Sequence, residues 1–108
     1  MIKKIVFILF LFSLLVIVGC SNNNPANEEI IKCIGQKVTL YVSEGCTHCV
    51  KQKQILGENI KYVDLIDCSE NSQACQNAGI RYVPTWIING VKITGAQTIE
   101  VLKTLTGC

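Results

Sequence analysis

The chain has 108 residues, ten basic and eight acidic side chains, 49% hydrophobic residues and seven cysteines. That length holds one domain, and the near-even charge, with no basic stripe or charge run, argues against a nucleic-acid partner. Cysteine is the informative residue type, so the chemistry is sought there.

Met1-Ile2-Lys3-Lys4 gives a positive start, and Ile5 to Val18 is apolar apart from Ser13. As a helix this run would reach about 21 Å, short of the roughly 30 Å of a bilayer core. Residues 1–19 therefore read as a signal peptide, with a short uncleaved anchor as the competing reading. The run ends at Val18-Gly19-Cys20 and turns polar at once. This junction resembles the lipobox of bacterial lipoproteins, in which the cysteine is lipid-modified and becomes the mature amino terminus. By that likeness Cys20 is the lipid attachment site, and each buried methylene of an acyl chain would contribute about 0.8 kcal/mol to holding the protein on a membrane. Loss of Lys3 and Lys4 with the leader leaves eight basic residues against eight acidic ones.

Residues 20–34 read as a lipid-anchored polar tether, because residues 21–32 contain Pro25 and show no hydrophobic period. A flexible segment of that size reaches about 20 Å. Residues 35–108 make the folded domain. Lys37 to Val42 is β-branched and aromatic, which predicts a strand, and Ser43-Glu44-Gly45 a turn. Cys46 to Leu56 lacks Gly and Pro and is followed by Gly57, which predicts a helix and its stop. Ile60 to Ile66 predicts a second strand, and Glu70 to Ala78 a short helix closed by Gly79. Pro84 to Ile88 and Val91 to Thr94 flank Asn89-Gly90, a two-residue hairpin signal. Thr98 to Leu105 predicts a last helix with Ile99, Leu102 and Leu105 on one face. The order β-α-β-α-β-β-α implies an α/β domain: a four-stranded mixed sheet, its first two strands parallel, with helices on both faces. That layout is consistent with a thioredoxin-like fold.

Cys46-Thr47-His48-Cys49 falls where the first strand gives way to the first helix. Unpaired amide hydrogens and the helix dipole favour negative charge there, so a thiolate at Cys46 is stabilised, and the thiolate is the reactive form. Cys49 lies on the same helical face. Cys46 is thus the expected nucleophile and Cys49 the resolving thiol. A partly protonated His48 would lower the Cys46 pKa further and make the disulfide a stronger oxidant; an exposed histidine without influence is the alternative. Val83-Pro84, entering a strand opposite that helix, is the expected cis-proline loop, leaving the Val83 backbone to pair with an incoming substrate strand. An ordinary trans proline at a strand start is the alternative there.

Residues 38–108 resemble the thioredoxin-like domain that some bacteria fuse to vitamin K epoxide reductase homologues. The likeness is carried by Cys46-Thr47-His48-Cys49, Cys68 through Cys75 to Gly79-Ile80-Arg81, Pro84-Thr85-Trp86, Ile88-Asn89-Gly90, and Gly95 through Glu100 to Leu102. It implies a disulfide between Cys68 and Cys75, read as structural with a redox relay as the alternative. It also implies disulfide exchange with exported proteins and electron exchange with a membrane-embedded quinone-linked enzyme, for which a lipid anchor would replace covalent fusion. Two positions depart from the pattern. Thr47 stands where related sequences often have Pro or Gly, and Leu40 where thioredoxins carry a buried acid.

With Cys20 lipidated, six cysteines remain, and Cys33 and Cys108 are left over. Parity suggests that they pair, although they could equally be free or bridge two molecules. Zinc or copper at Cys46 and Cys49 fits poorly, since the Cys68–Cys75 spacing spoils a zinc-ribbon pattern. Trp86 is expected in the core. The expected protein is a membrane-anchored thiol–disulfide oxidoreductase facing outward in a bacterial cell envelope. It needs no cofactor beyond the Cys46–Cys49 disulfide. Its partners are exported cysteine-containing proteins and a membrane redox enzyme, either vitamin K epoxide reductase-like or otherwise quinone- or thiol-linked. A disulfide reductase and a copper- or zinc-binding lipoprotein are the alternatives.

Overall fold

A computed structural model describes residues 2–6 and 25–108 of the chain. Residues 2–6 are helical and exposed; the remainder of the signal-peptide run, and Cys20 with its expected lipid, lie outside the described residues. Among the described residues no helix is long and apolar enough to cross a membrane.

The sheet is organised around β1 (Val38–Val42), whose alternation turns Val38, Leu40 and Val42 to one buried face. β2 (Asp64–Asp67) runs parallel to it with Leu65 opposite Leu40. On the other side β3 (Thr85–Ile88) runs antiparallel with Trp86 opposite Leu40, and β4 (Val91–Thr94) pairs antiparallel with β3. The strand order is β2-β1-β3-β4. Asn89 and Gly90 join β3 to β4 with φ values of 52° and 76°, the left-handed pair that a two-residue hairpin requires.

Three helices supply apolar side chains to one face of this sheet: α1 (Pro25–Gly35), α2 (Thr47–Leu56) and α4 (Ile99–Thr106). Ile31 and Ile34 of α1, Cys49 and Leu56 of α2 and Leu102 of α4 form one cluster with Leu40, Val42, Trp86 and Ile88. The short α3 (Ser72–Asn77) precedes a segment that lies over the opposite face, where Thr85 Oγ1 donates to the Tyr82 carbonyl at 2.6 Å. The mixed four-stranded α/β sheet predicted from the sequence is therefore present. In α4, however, Leu105 is exposed and Thr106 takes the buried place, its hydroxyl donating to the Leu102 carbonyl at 2.6 Å.

Two expectations need correction. Residues 25–34, placed in the polar tether 20–34, are helical and belong to the domain. Ile30, Ile31 and Ile34 make a stripe at helical spacing, hidden in the sequence by the Asn- and Glu-rich residues before it. Ile34 is fully buried and Ile31 nearly so. Pro25 suits the first turn, where its missing N–H costs nothing. Gly35 ends the helix where a Cβ would collide with the Tyr62 carbonyl, so only glycine lets the two backbones meet. The second correction concerns residues 57–62, part of which was read as strand. They form a 3-10 helix (Gly57–Tyr62), and β2 starts only at Asp64. Ile60 and Val63, three apart, both pack on the core, a spacing that suits 3-10 geometry as well as it suits a strand with one irregular residue.

α1 and the 3-10 segment are latched at their polar edge. Tyr62 Oη donates to Glu28 Oε1 at 2.6 Å, and Lys32 Nζ lies 3.4 Å from the same oxygen. The Tyr62 hydroxyl, aided by Lys32, holds the Glu28 carboxyl below its ordinary value. Because the folded pKa is the lower one, this contact supports the fold at neutral pH and is lost as pH falls through the carboxylate range. At the C-terminal end, Lys37 Nζ donates to the Thr106 carbonyl at 3.0 Å, a cation at a helix C-terminus. Cys33 of α1 is bonded to Cys108, with Cα atoms 6.0 Å apart and a separation of 75 positions in sequence. Chain-entropy reasoning gives such a long loop about 4.5 kcal/mol.

The tether and the helix make opposite predictions. Ile34→Ala should lower the unfolding free energy by about 2–5 kcal/mol if α1 is core, measured by denaturant melts of the oxidised protein. A change near zero would return this segment to the tether.

Candidate redox site

The site begins with the end of β1. After Val42 the chain turns through Ser43, Glu44 and Gly45, the last at φ 74°. This turn is held from the side: Ser69 Oγ accepts from the Glu44 amide at 2.8 Å and sits 2.9 Å from Ser43 Oγ, while the Ser69 amide donates to Asp67 Oδ1 at 2.8 Å. Cys46 follows in an extended conformation, φ −96° and ψ 110°, as the N-cap of α2. Its sulfur accepts from the Cys49 amide at 3.1 Å. A hydroxyl or carboxylate usually fills that role; here a sulfur takes it, so the first turn of the helix is itself the group that stabilises a negative Cys46.

The two sulfurs differ in access. Cys46 is half-buried, whereas Cys49 is 1% exposed and packed in the core. They are joined as a disulfide with Cα atoms 5.2 Å apart. Across the site, the Val83–Pro84 peptide is cis and Pro84 is buried. The Val83 carbonyl oxygen lies 3.5 Å from Cys46 Sγ, within reach of an S–H donor once the pair is reduced. The Pro84 carbonyl accepts from the Gly95 amide at 2.8 Å, which ties the proline loop to the segment after β4. His48 is exposed on the first turn of α2. Cys68 and Cys75 are bonded, their Cα atoms 5.7 Å apart, between the end of β2 and α3. Leu40 is fully buried and faces Trp86. The buried polar side chains among the described residues are Gln52, Thr85 and Thr106, none of them acidic.

Gln52 was not singled out by the sequence reading, nor was Gln97. Gln52 is fully buried in α2. Its Oε1 accepts from Trp86 Nε1 at 3.1 Å and from the Gln97 amide at 2.6 Å, and its Nε2 donates to the Gln97 carbonyl at 3.0 Å. The available signal was register: Cys49, Gln52 and Leu56 share one helical face, so an amide stands where the core asks for an apolar residue. Trp86, expected in the core, is there with its N–H satisfied.

A sulfur readied for ionisation by a helix start, with a second sulfur three residues on that can displace whatever it binds, on a sheet of order β2-β1-β3-β4, is the arrangement of thioredoxin-like thiol–disulfide oxidoreductases. Comparison with known proteins agrees, although no protein-family model matches the chain. The chain is 37% identical over 73 residues to the thioredoxin of Methanocaldococcus jannaschii, a match covering 61% of this chain and 86% of that protein. It belongs to the thioredoxin family. It is also 31% identical over 99 residues to the thiol-disulfide oxidoreductase LTO1 of Arabidopsis thaliana. That match takes in 81% of this chain and 26% of the plant protein, so the chain spans about a quarter of that relative's length.

Reduced protein should show the asymmetry of the two sulfurs directly. Alkylation followed by peptide mapping should label Cys46 first, with a rate that titrates below the free-thiol value of about 8.5. Labelling of Cys46 no faster than a free thiol would remove the proposed nucleophile.

Proposed function

We propose that the chain is a membrane-anchored, extracytoplasmic oxidoreductase that exchanges disulfides with exported proteins, with Cys46 as the reacting sulfur, Cys49 as the resolving one and His48 as a modulator of Cys46. The observation that carries this reading is the Cys49 amide donating to Cys46 Sγ at 3.1 Å beside the Val83 carbonyl at 3.5 Å. The first contact stabilises the thiolate, and with it the reduced form, which makes the disulfide form an oxidant. The second puts the backbone of Val83 and Pro84 beside the sulfur that a substrate must reach.

In the oxidising direction a substrate thiolate attacks Cys46 Sγ. The Cys46–Cys49 bond breaks and Cys49 leaves as the thiolate, giving a mixed disulfide between substrate and Cys46. A second substrate thiolate then attacks the substrate sulfur of that bond and releases Cys46. Two electrons and two protons pass from the substrate dithiol to the Cys46–Cys49 pair. A membrane redox partner, vitamin K epoxide reductase-like or otherwise quinone- or thiol-linked, would take them on. Pairing of Cys33 with Cys108 and of Cys68 with Cys75 supports an oxidising compartment, where such bonds persist. The lipobox-like junction at Cys20 supports anchoring there.

Equilibration against glutathione buffers tests the direction. A potential between about −120 and −200 mV fits an oxidase, and one near about −270 mV would reassign the protein as a reductase. Anchoring is tested separately: a soluble Cys20→Ala form should keep full exchange in vitro and lose function in cells, and unchanged function in cells would count against the anchor.

A further inference from the structure

We propose that Gln52 is a positioning residue for disulfide exchange: it fixes the Val83–Pro84 loop relative to Cys46 and so governs how a peptide is presented to that sulfur. This rests on the reading that substrates dock along Val83.

Gln52 makes three hydrogen bonds through one side chain. Both backbone groups of Gln97 are held, the amide by Oε1 at 2.6 Å and the carbonyl by Nε2 at 3.0 Å, and Trp86 Nε1 occupies the second acceptor site of Oε1 at 3.1 Å. Only a group with a donor and an acceptor side by side can do this. From Gln97 the connection runs on. Its own Nε2 donates to the Gly95 carbonyl at 3.2 Å, and the Gly95 amide donates to the Pro84 carbonyl at 2.8 Å. Val83, the next residue back, has its carbonyl 3.5 Å from Cys46 Sγ. Cys46 caps the helix that carries Gln52. The path is therefore a closed circuit: redox sulfur, helix, Gln52, segment 95–97, Pro84, Val83, and back to the sulfur.

The other core contacts of α2, through Cys49 and Leu56, are apolar and carry no directional constraint. Among the described residues Gln52 is the one side chain of Thr47–Leu56 whose hydrogen bonds tie the helix to Trp86 of β3 and to the segment after β4. Loss of its amide should leave the Cys46–Cys49 chemistry intact while letting the proline loop drift against it.

The experiment compares wild type, Gln52→Met and the double variant Gln52→Met/Trp86→Phe. Methionine keeps the volume and removes all three bonds. The double variant also removes the indole N–H that Gln52→Met would strand in the core, leaving only the backbone groups of the partly buried Gln97 without Gln52. Removing a stranded buried donor recovers part of the stability that its lost partner costs. Each protein is assayed with a small disulfide, hydroxyethyl disulfide, and with a cysteine-containing peptide long enough to lie along Val83. Peptide exchange should fall about tenfold in both variants, chiefly through KM, the scale of a modest misplacement of reacting groups. Exchange with hydroxyethyl disulfide should stay within about twofold, and the double variant should regain thermal stability without regaining peptide exchange. Equal loss on both substrates, or recovery of peptide exchange along with stability, would overturn the proposal. A wild-type enzyme that shows no advantage for the peptide over the small disulfide would instead overturn docking at Val83 itself.

Discussion

The start of α2 is the constraint from which the site follows. A helix leaves its first amides without partners, and this chain offers one of them to a cysteine sulfur at 3.1 Å. Had the helix begun one residue later, Cys46 would sit in the preceding loop with no amide to accept from. The turn through Gly45 and the serine contacts from residue 69 therefore matter as much as the cysteines. They set where β1 stops and which residue becomes the cap. Cys68, adjacent to Ser69, is bonded to Cys75, so the bracket that supports this turn is itself covalently pinned to α3.

Much of this was legible because it is written locally. Two cysteines three apart after a strand and a glycine, Gly57 after a lysine- and glutamine-rich run, and Asn89-Gly90 between two β-branched runs each determine their own few residues of backbone. The elements that escaped are those decided at a distance. α1 looks polar in sequence until Ile31 and Ile34 are seen against Leu40 and Leu102. Ile60 to Val63 alternates enough to read as strand, but the chain has to pass beneath α1 at Gly35, and a 3-10 turn is what fits there. Gln52 was silent for the same reason. An amide in a helix is ordinary, and its meaning appears only once segment 95–97 and Trp86 surround it. Parity left the partner of Cys33 open, because connectivity is a property of the folded chain.

The core near Cys49 is served by neutral groups. Leu40, which departs from the thioredoxin pattern, is fully buried there, and Gln52 brings polarity without charge. A buried carboxylate would carry a large desolvation penalty; an amide with its donor and acceptor occupied carries little. The consequence is that no acidic side chain is buried beside Cys49 among the described residues, so its proton is handled by another group or by water.

The bond between Cys33 and Cys108 has a topological consequence. It closes residues 33 to 108 into a covalent ring that contains the four strands of the sheet and the Cys46–Cys49 and Cys68–Cys75 bonds. A protease that makes a single cut at any exposed loop of that ring, the hairpin at Asn89 included, opens a circle into a line and releases no fragment. A nicked molecule stays one molecule, with its cut ends held together by the disulfide and the fold.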